Sequence, residues 1–132
     1  MRGPDGFSWQ EAESTLMSVK RLRQVFVVAG TFDRQVGFYE EGLGLKLQFR
    51  DGDNWAQFAA GDVSFALAGE GEGMGAVTGQ SIAVFEVDDI DESARQIENA
   101  GGRLGTLRDM GEHGRTQLVT DPEGASFALF QR

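Results

Sequence analysis

One histidine, His113, and no cysteine are what the 132-residue chain offers for the commonest side-chain chemistry. Without a thiol, disulfides, thiolate metal sites and cysteine nucleophiles are excluded. A serine triad or a metal cluster would have to be built on His113. It stands in DMGEHGRT, Asp109 to Thr116, a glycine-flanked stretch with no Gly-x-Ser-x-Gly elbow anywhere in the chain. His113 therefore reads as a loop residue in water, as a contact to a ligand, or, third, as a general base. Glu86, in FEVDD, is a second candidate: a carboxylate at a pocket rim could pair with a cation or act as a base with a raised pKa. The plainer alternative is a rim glutamate in water. Trp55 offers a face for stacking on a planar or cationic group, or simply covers the edge of a sheet. Arg108 and Arg115 read as solvated. GEGEGMGA, Gly69 to Ala76, contains GxGxxA at Gly71, Gly73 and Ala76. A dinucleotide loop is rejected there, because no helix signal follows and Glu70 and Glu72 would face a pyrophosphate.

These residues must be held by elements, and the elements come in two copies. VVAGTFDRQVGFYEEGLGLKL begins at Val27 and FEVDDIDESARQIENAGGRLGTL at Phe85. Aligning Asp33 on Asp91 also sets Phe32 on Ile90, Tyr39 on Ile97 and Gly44 on Gly102. Each copy reads as strand, amphipathic helix, glycine stop, then three strands. The first strands are expected at about 24–29 and 82–87, short, apolar and β-branched. The helices are expected at about 33–41 and 91–100, the second capped by Asp88 or Asp89 and ended by Gly101 and Gly102. Three strands follow each: about 46–50, 55–59 and 63–68, then 103–108, 115–120 and 125–130. The expected fold is α+β, two βαβββ modules forming a pseudo-symmetric cupped sheet. Module one covers about 22–68, a flexible linker 69–80, and module two about 81–132. An N-terminal arm, 1–19, precedes them. Its SWQE capping box and Trp9, Ala12, Leu16 stripe predict a short helix, with a frayed extension as the alternative.

Composition narrows the partners. Twelve basic against 21 acidic residues leave a net charge of -9, which repels phosphate backbones and disfavours nucleic acid. The same surface serves solubility, and its field favours cationic ligands. No apolar run reaches the ~18 residues of a membrane helix, and no secretory signal pattern opens the chain, so a cytoplasmic protein is expected.

The order and spacing of FYEEGLGLKL, FEVDDID and TDPEGASFALF resemble the vicinal oxygen chelate superfamily, which includes glyoxalase I, extradiol dioxygenases, fosfomycin-resistance enzymes and bleomycin-binding proteins. The resemblance covers about Leu22 to Arg132. It implies a shared cup between two half-sheets, with four metal-ligand positions on the cup face in the metal enzymes. Carried over residue by residue, these positions are Gln24, Ala66, Ile82 and Ala128, with Ser64 and Ala68 as alternative registers in the fourth strand. Three of the four carry no donor atom, so no metal and no cofactor is expected. Strand alternation turns Gln24, Phe26 and Val28, then Ile82, Val84 and Glu86, then Ser126, Ala128 and Phe130 into the cup. The space left by Ala66 and Ala128 is expected to take an organic ligand. The expected ligand-contacting set is Gln24, Phe26, Phe49, Trp55, Ser64, Ala66, Ile82, Glu86, His113, Ser126, Ala128 and Phe130, with no catalytic residue among them.

The expected function is metal-independent sequestration of a small organic molecule, a cationic or aromatic antibiotic or another bulky natural product. Bleomycin-type resistance proteins are the members the chain resembles in acidity and missing ligands, and they imply a homodimer. A metal-free enzyme using Glu86 or His113, a metal-dependent glyoxalase or dioxygenase, and an interaction module with a vestigial cup are the other readings.

Overall fold

The computed structural model describes residues 19–132, so all but the last residue of the expected N-terminal arm lies outside the described residues. The first strand, β1 (Val19–Ala29), starts earlier than the apolar run QVFVVA predicts, because Arg21 pairs across to Glu86 and extends the ladder. It is followed by α1 (Phe32–Gly42), β2 (Lys46–Asp51), β3 (Trp55–Ala60) and β4 (Val63–Gly69). The second copy is β5 (Ser81–Val87), α2 (Ile90–Asn99), β6 (Arg103–Asp109), β7 (Arg115–Thr120) and β8 (Ser126–Gln131). The order βαβββ therefore occurs twice.

All eight strands form one sheet in the order β2-β3-β4-β1-β5-β8-β7-β6. Each module contributes half of it. The modules meet where β1 and β5 run antiparallel, with Phe26 opposite Ile82 and Gln24 opposite Val84. Within each module the first and last strands are parallel, β1 to β4 and β5 to β8. That places the two most apolar strands of each copy at the centre, where both faces are covered.

The two faces separate by alternation along β1 from Gln24 onward, β5 and β8. On one face α1 covers Ala29, Phe58 and Leu67 with Phe32 and Val36, and α2 covers Val87, Val119 and Leu129 with Ile90. On the other face Phe26, Val28, Ala66, Ala68, Ile82, Val84, Ala128 and Phe130 form a single apolar cluster that spans both modules. Asp89 caps α2, its carboxylate accepting from the amides of Asp91 and Glu92 at 3.1 Å each. Among the described residues no helix is long and apolar enough to cross a membrane.

The segment expected as a flexible linker is instead packed. Glu70–Glu72 forms a 3-10 turn, and Met74 and Ala76 lie against the inner cluster. The backbone of Val28 bonds to Gln80 and Gly79 on either side. A Cβ at Gly73 would stand 2.9 Å from Val28 Cγ2, so the glycine there serves close approach rather than looseness. Composition alone could not separate the two roles.

Candidate ligand-binding site

The site starts with an irregularity in β1. The β1–β5 register shifts between Leu22 and Gln24, which leaves Arg23 as a bulged residue. Consecutive residues of a regular strand face opposite ways, yet Arg23 and Gln24 line the same cavity. Alternation predicted only Gln24 there. The Arg23 guanidinium lies over the ring of Phe130 from β8, 4.1 Å from its centroid. Glu86 holds it in place: one oxygen, Oε1, accepts from Arg23 Nη1 and from Arg21 Nε, each at 3.1 Å.

Of the readings open for Glu86, this pairing removes the base with a raised pKa. Burial pushes its carboxyl up, but hydrogen bonds and charge from Arg21 and Arg23 together outweigh burial and hold it below the ordinary range. Glu86 is an anchor for two arginines and is not part of the cavity wall.

Gln24 anchors a polar chain on the module-one side. Its amide nitrogen donates to Ser64 Oγ at 2.8 Å and to Gln57 Oε1 at 3.2 Å. The same Gln57 oxygen accepts from Trp55 Nε1 at 3.4 Å, and Gln57 Nε2 donates to Gln48 at 3.1 Å. Trp55 is thereby oriented, and its ring lies 5.8 Å from that of Phe26. Gln57 escaped the sequence reading, although its period-two spacing from Trp55 on a strand was a usable signal.

Around these groups lies a cavity of about 420 Å³. Phe26, Phe49, Trp55, Phe130, Met74 and Met110 supply its apolar surface, and Val84 its floor. Gln24, Gln57, Asn54, Thr116 and His113 add polar groups. Its charged residues are Arg23, Arg108, Asp51 and Glu72. Arg108, expected in water, closes onto Glu72 of the linker at 2.5 Å. Asp51 has no ion pair among the described residues, and it stands opposite Trp55 in the β2–β3 ladder. Met74 holds a left-handed backbone, φ 53°, to reach this wall. Such a conformation is uncommon for a side chain of its size. Gly114, at φ 97°, turns the chain directly after His113. A Cβ there would meet Gln131 O at 2.5 Å, so only glycine lets the His113 turn sit this close to β8.

The sequence-predicted residues do not all come together. Gln24, Phe26, Phe49, Trp55, His113 and Phe130 come together around the cavity. Ser64 faces a smaller hollow next to it and bonds Gln24. Ala66, Ile82 and Ala128 are fully buried, packed among Phe26, Val28, Val84 and Phe130. The room expected beside the alanines is filled by these neighbours, Phe26 and Phe130 supplying the bulk. Ser126 lies opposite Thr120 at the start of β8 and does not reach the cavity. Arg115 turns outward to Asp91 and Gln131.

A model of the Glyoxalase/Bleomycin resistance protein/Dioxygenase superfamily matches residues 21–129. The chain belongs to that superfamily. A Mycolicibacterium smegmatis protein described only as uncharacterized is 30% identical over 116 residues, covering 86% of this chain and 96% of its own. Methylmalonyl-CoA epimerase from Mycobacterium tuberculosis superposes with a TM-score of 0.67 at 20% identity, covering 89% of this chain and 91% of that one. A superfamily member from Vibrio splendidus gives a TM-score of 0.64 at 17% identity, with 85% and 100% covered. At these identities the structural likenesses establish the fold. Against that superfamily fold, the positions carried over as metal ligands are occupied by three buried aliphatic side chains and one amide already bonded to Gln57 and Ser64. Among the described residues no three His, Asp or Glu side chains converge. A transition metal does not fit this donor set.

Proposed function

We propose that this superfamily member is a metal-independent binding protein that sequesters an aromatic small molecule, an antibiotic or a comparable natural product. The observation that carries the reading is one cavity wall: Phe26, Trp55 and Phe130 surround a space of about 420 Å³. That volume lies in the range of pockets for drug-sized ligands. Aromatic side chains in a cavity wall favour a planar apolar ligand, and Gln24, Gln57 and Thr116 offer a few polar groups. A cationic group on the ligand would sit at Asp51, beside Trp55 and Phe49, where charge and ring faces act together. In this it resembles the bleomycin-resistance-type members. A homodimer belongs to the proposal, because Phe49 and Leu107 stand exposed on β2 and β6, the two end strands of the sheet.

A metal-free enzyme is the second reading, favoured by one observation: the single imidazole of the chain, His113, lines the same cavity. The two separate in one experiment. A panel of aromatic antibiotics is screened by thermal shift, and each stabilising compound is then recovered and weighed by mass spectrometry. Sequestration requires a concentration-dependent rise in Tm and a compound returned unchanged. A converted product favours the enzyme. No stabilisation across the panel contradicts both.

A further inference from the structure

We propose that an arginine-lined hollow beside the cavity is an anion subsite, taking a carboxylate, sulfate or phosphate group carried by the ligand whose apolar body fills the cavity. The inference rests on the cavity being a ligand site. The hollow, about 280 Å³, is lined by Arg21, Arg23 and Arg132, and by Asp62. Arg23, Gln24 and Gln57 line both spaces, so the two adjoin along these residues.

Charge favours an anion there, against the sign of the whole protein. The chain carries -9, yet three guanidinium groups gather at this hollow. Glu86 pairs with Arg21 and Arg23, and the Arg132 guanidinium has no ion pair among the described residues. Glu86 engages Arg21 and Arg23 through a single oxygen, so each guanidinium keeps further N–H groups unused. Glu86 is largely buried behind them, with 12% of its side chain exposed, whereas Arg21 is 55% exposed. The carboxylate therefore orients the arginines from below and leaves their outer edges to solvent or to a ligand. Planar forks held side by side suit an oxyanion with more than one oxygen. Ser64 adds a hydroxyl to the same wall.

The test uses two dyes that share one aromatic body. N-phenyl-1-naphthylamine is neutral, and 8-anilinonaphthalene-1-sulfonate adds a sulfonate. Fluorescence titration of the full chain should give the sulfonate dye about tenfold tighter binding, the worth of one charge-assisted hydrogen bond. Arg21→Gln with Arg132→Gln should remove that advantage and leave the neutral dye as it was. Lys20→Gln, which removes a cation on the same strand outside the hollow, should change neither. Circular dichroism confirms that each variant is folded. Equal affinity for the two dyes, or an advantage that survives the double substitution, overturns the subsite while the cavity stands. Failure of both dyes counts against the cavity as well. Sulfate that stabilises the protein alone as strongly as the dye does would make a free anion the occupant, and would also overturn the claim.

Discussion

Arg23 and Phe130 meet across the two copies: a guanidinium from the bulge of β1 lies 4.1 Å from the centre of a ring on β8. The contact crosses the modules at the cavity wall, and Glu86 on the intervening β5 fixes it from beside. A near-regular repeat thereby acquires an asymmetric site. The copy of Gln24 in the second module is Ile82, which is buried without any polar contact to make.

Phe130→Ala should destabilise the fold by about 3 kcal/mol, the usual cost of removing a buried phenylalanine. Urea denaturation measures this. Phe130→Leu should retain most of the stability and still weaken aromatic ligands, because a ring face is lost from the wall. Equal affinities for an aromatic probe in wild type and Phe130→Leu would contradict the stacking role.

Acid should weaken the fold through Glu86. Its folded pKa is depressed, so the unfolded chain binds the proton more readily. The stability it contributes is present above the ordinary carboxyl range and is lost as pH falls through the lower folded value. Glu86→Gln should therefore lower Tm by several degrees at pH 6 to 7 relative to wild type. The gap should close as both are taken toward pH 3. A gap that is constant with pH would mean that the carboxylate charge is not what holds Arg21 and Arg23.

How much of this was legible beforehand depended on which residues obey a period. The inner faces of β1, β5 and β8 followed from alternation, since Phe26, Ile82, Val84, Ala128 and Phe130 all lie in one cluster on the predicted side. Arg23 lay outside the strand expected at 24–29, and the bulge that turns it into the cavity has no compositional mark. Glu86 misled for another reason. Its pKa depends on Arg21 and Arg23, which meet it only when β1 and β5 pair. Met74 and Glu72 were hidden in a glycine-rich segment, where the same composition describes a loose tether and a tightly packed turn. The alannines at 66 and 128 were placed on the correct face but read as space, and small residues show which neighbours fill them only once the sheet is curled.

Gly73→Ala tests whether the linker is a wall of the site. The new methyl would press on Val28, and overpacking of this kind costs about 1–3 kcal/mol. Relief by lifting the linker would move Met74 away from the cavity. The expected result is a lower urea midpoint together with weaker binding of a neutral aromatic probe. Loss of stability with unchanged binding would show that Met74 contributes nothing to the ligand.

Asp51→Asn separates charge from stacking. A cationic aromatic probe should bind about threefold to tenfold more weakly, in keeping with roughly 1 kcal/mol for a half-exposed pair. A neutral probe of the same shape should be unaffected. Raising salt should weaken the cationic probe in wild type and have less effect in the variant. An identical salt response in the two proteins would remove Asp51 from the site.

Burying a carboxylate where the superfamily's metal enzymes carry a ligand should be costly here. Ala66→Glu places an unpaired charge among Phe26, Val28 and Trp55, and should destabilise by about 3 kcal/mol or more. A variant as stable as wild type would mean that the position opens to water or to an ion.

The most direct test is equilibrium binding of N-phenyl-1-naphthylamine to protein exhaustively dialysed against EDTA, repeated after adding back zinc, nickel or manganese, with bound metal counted by mass spectrometry. The account predicts saturable one-to-one binding in the metal-free protein, unchanged by any of the three ions, and no ion retained through gel filtration. Binding that disappears with EDTA and returns with one ion, held at one equivalent per chain, would contradict it.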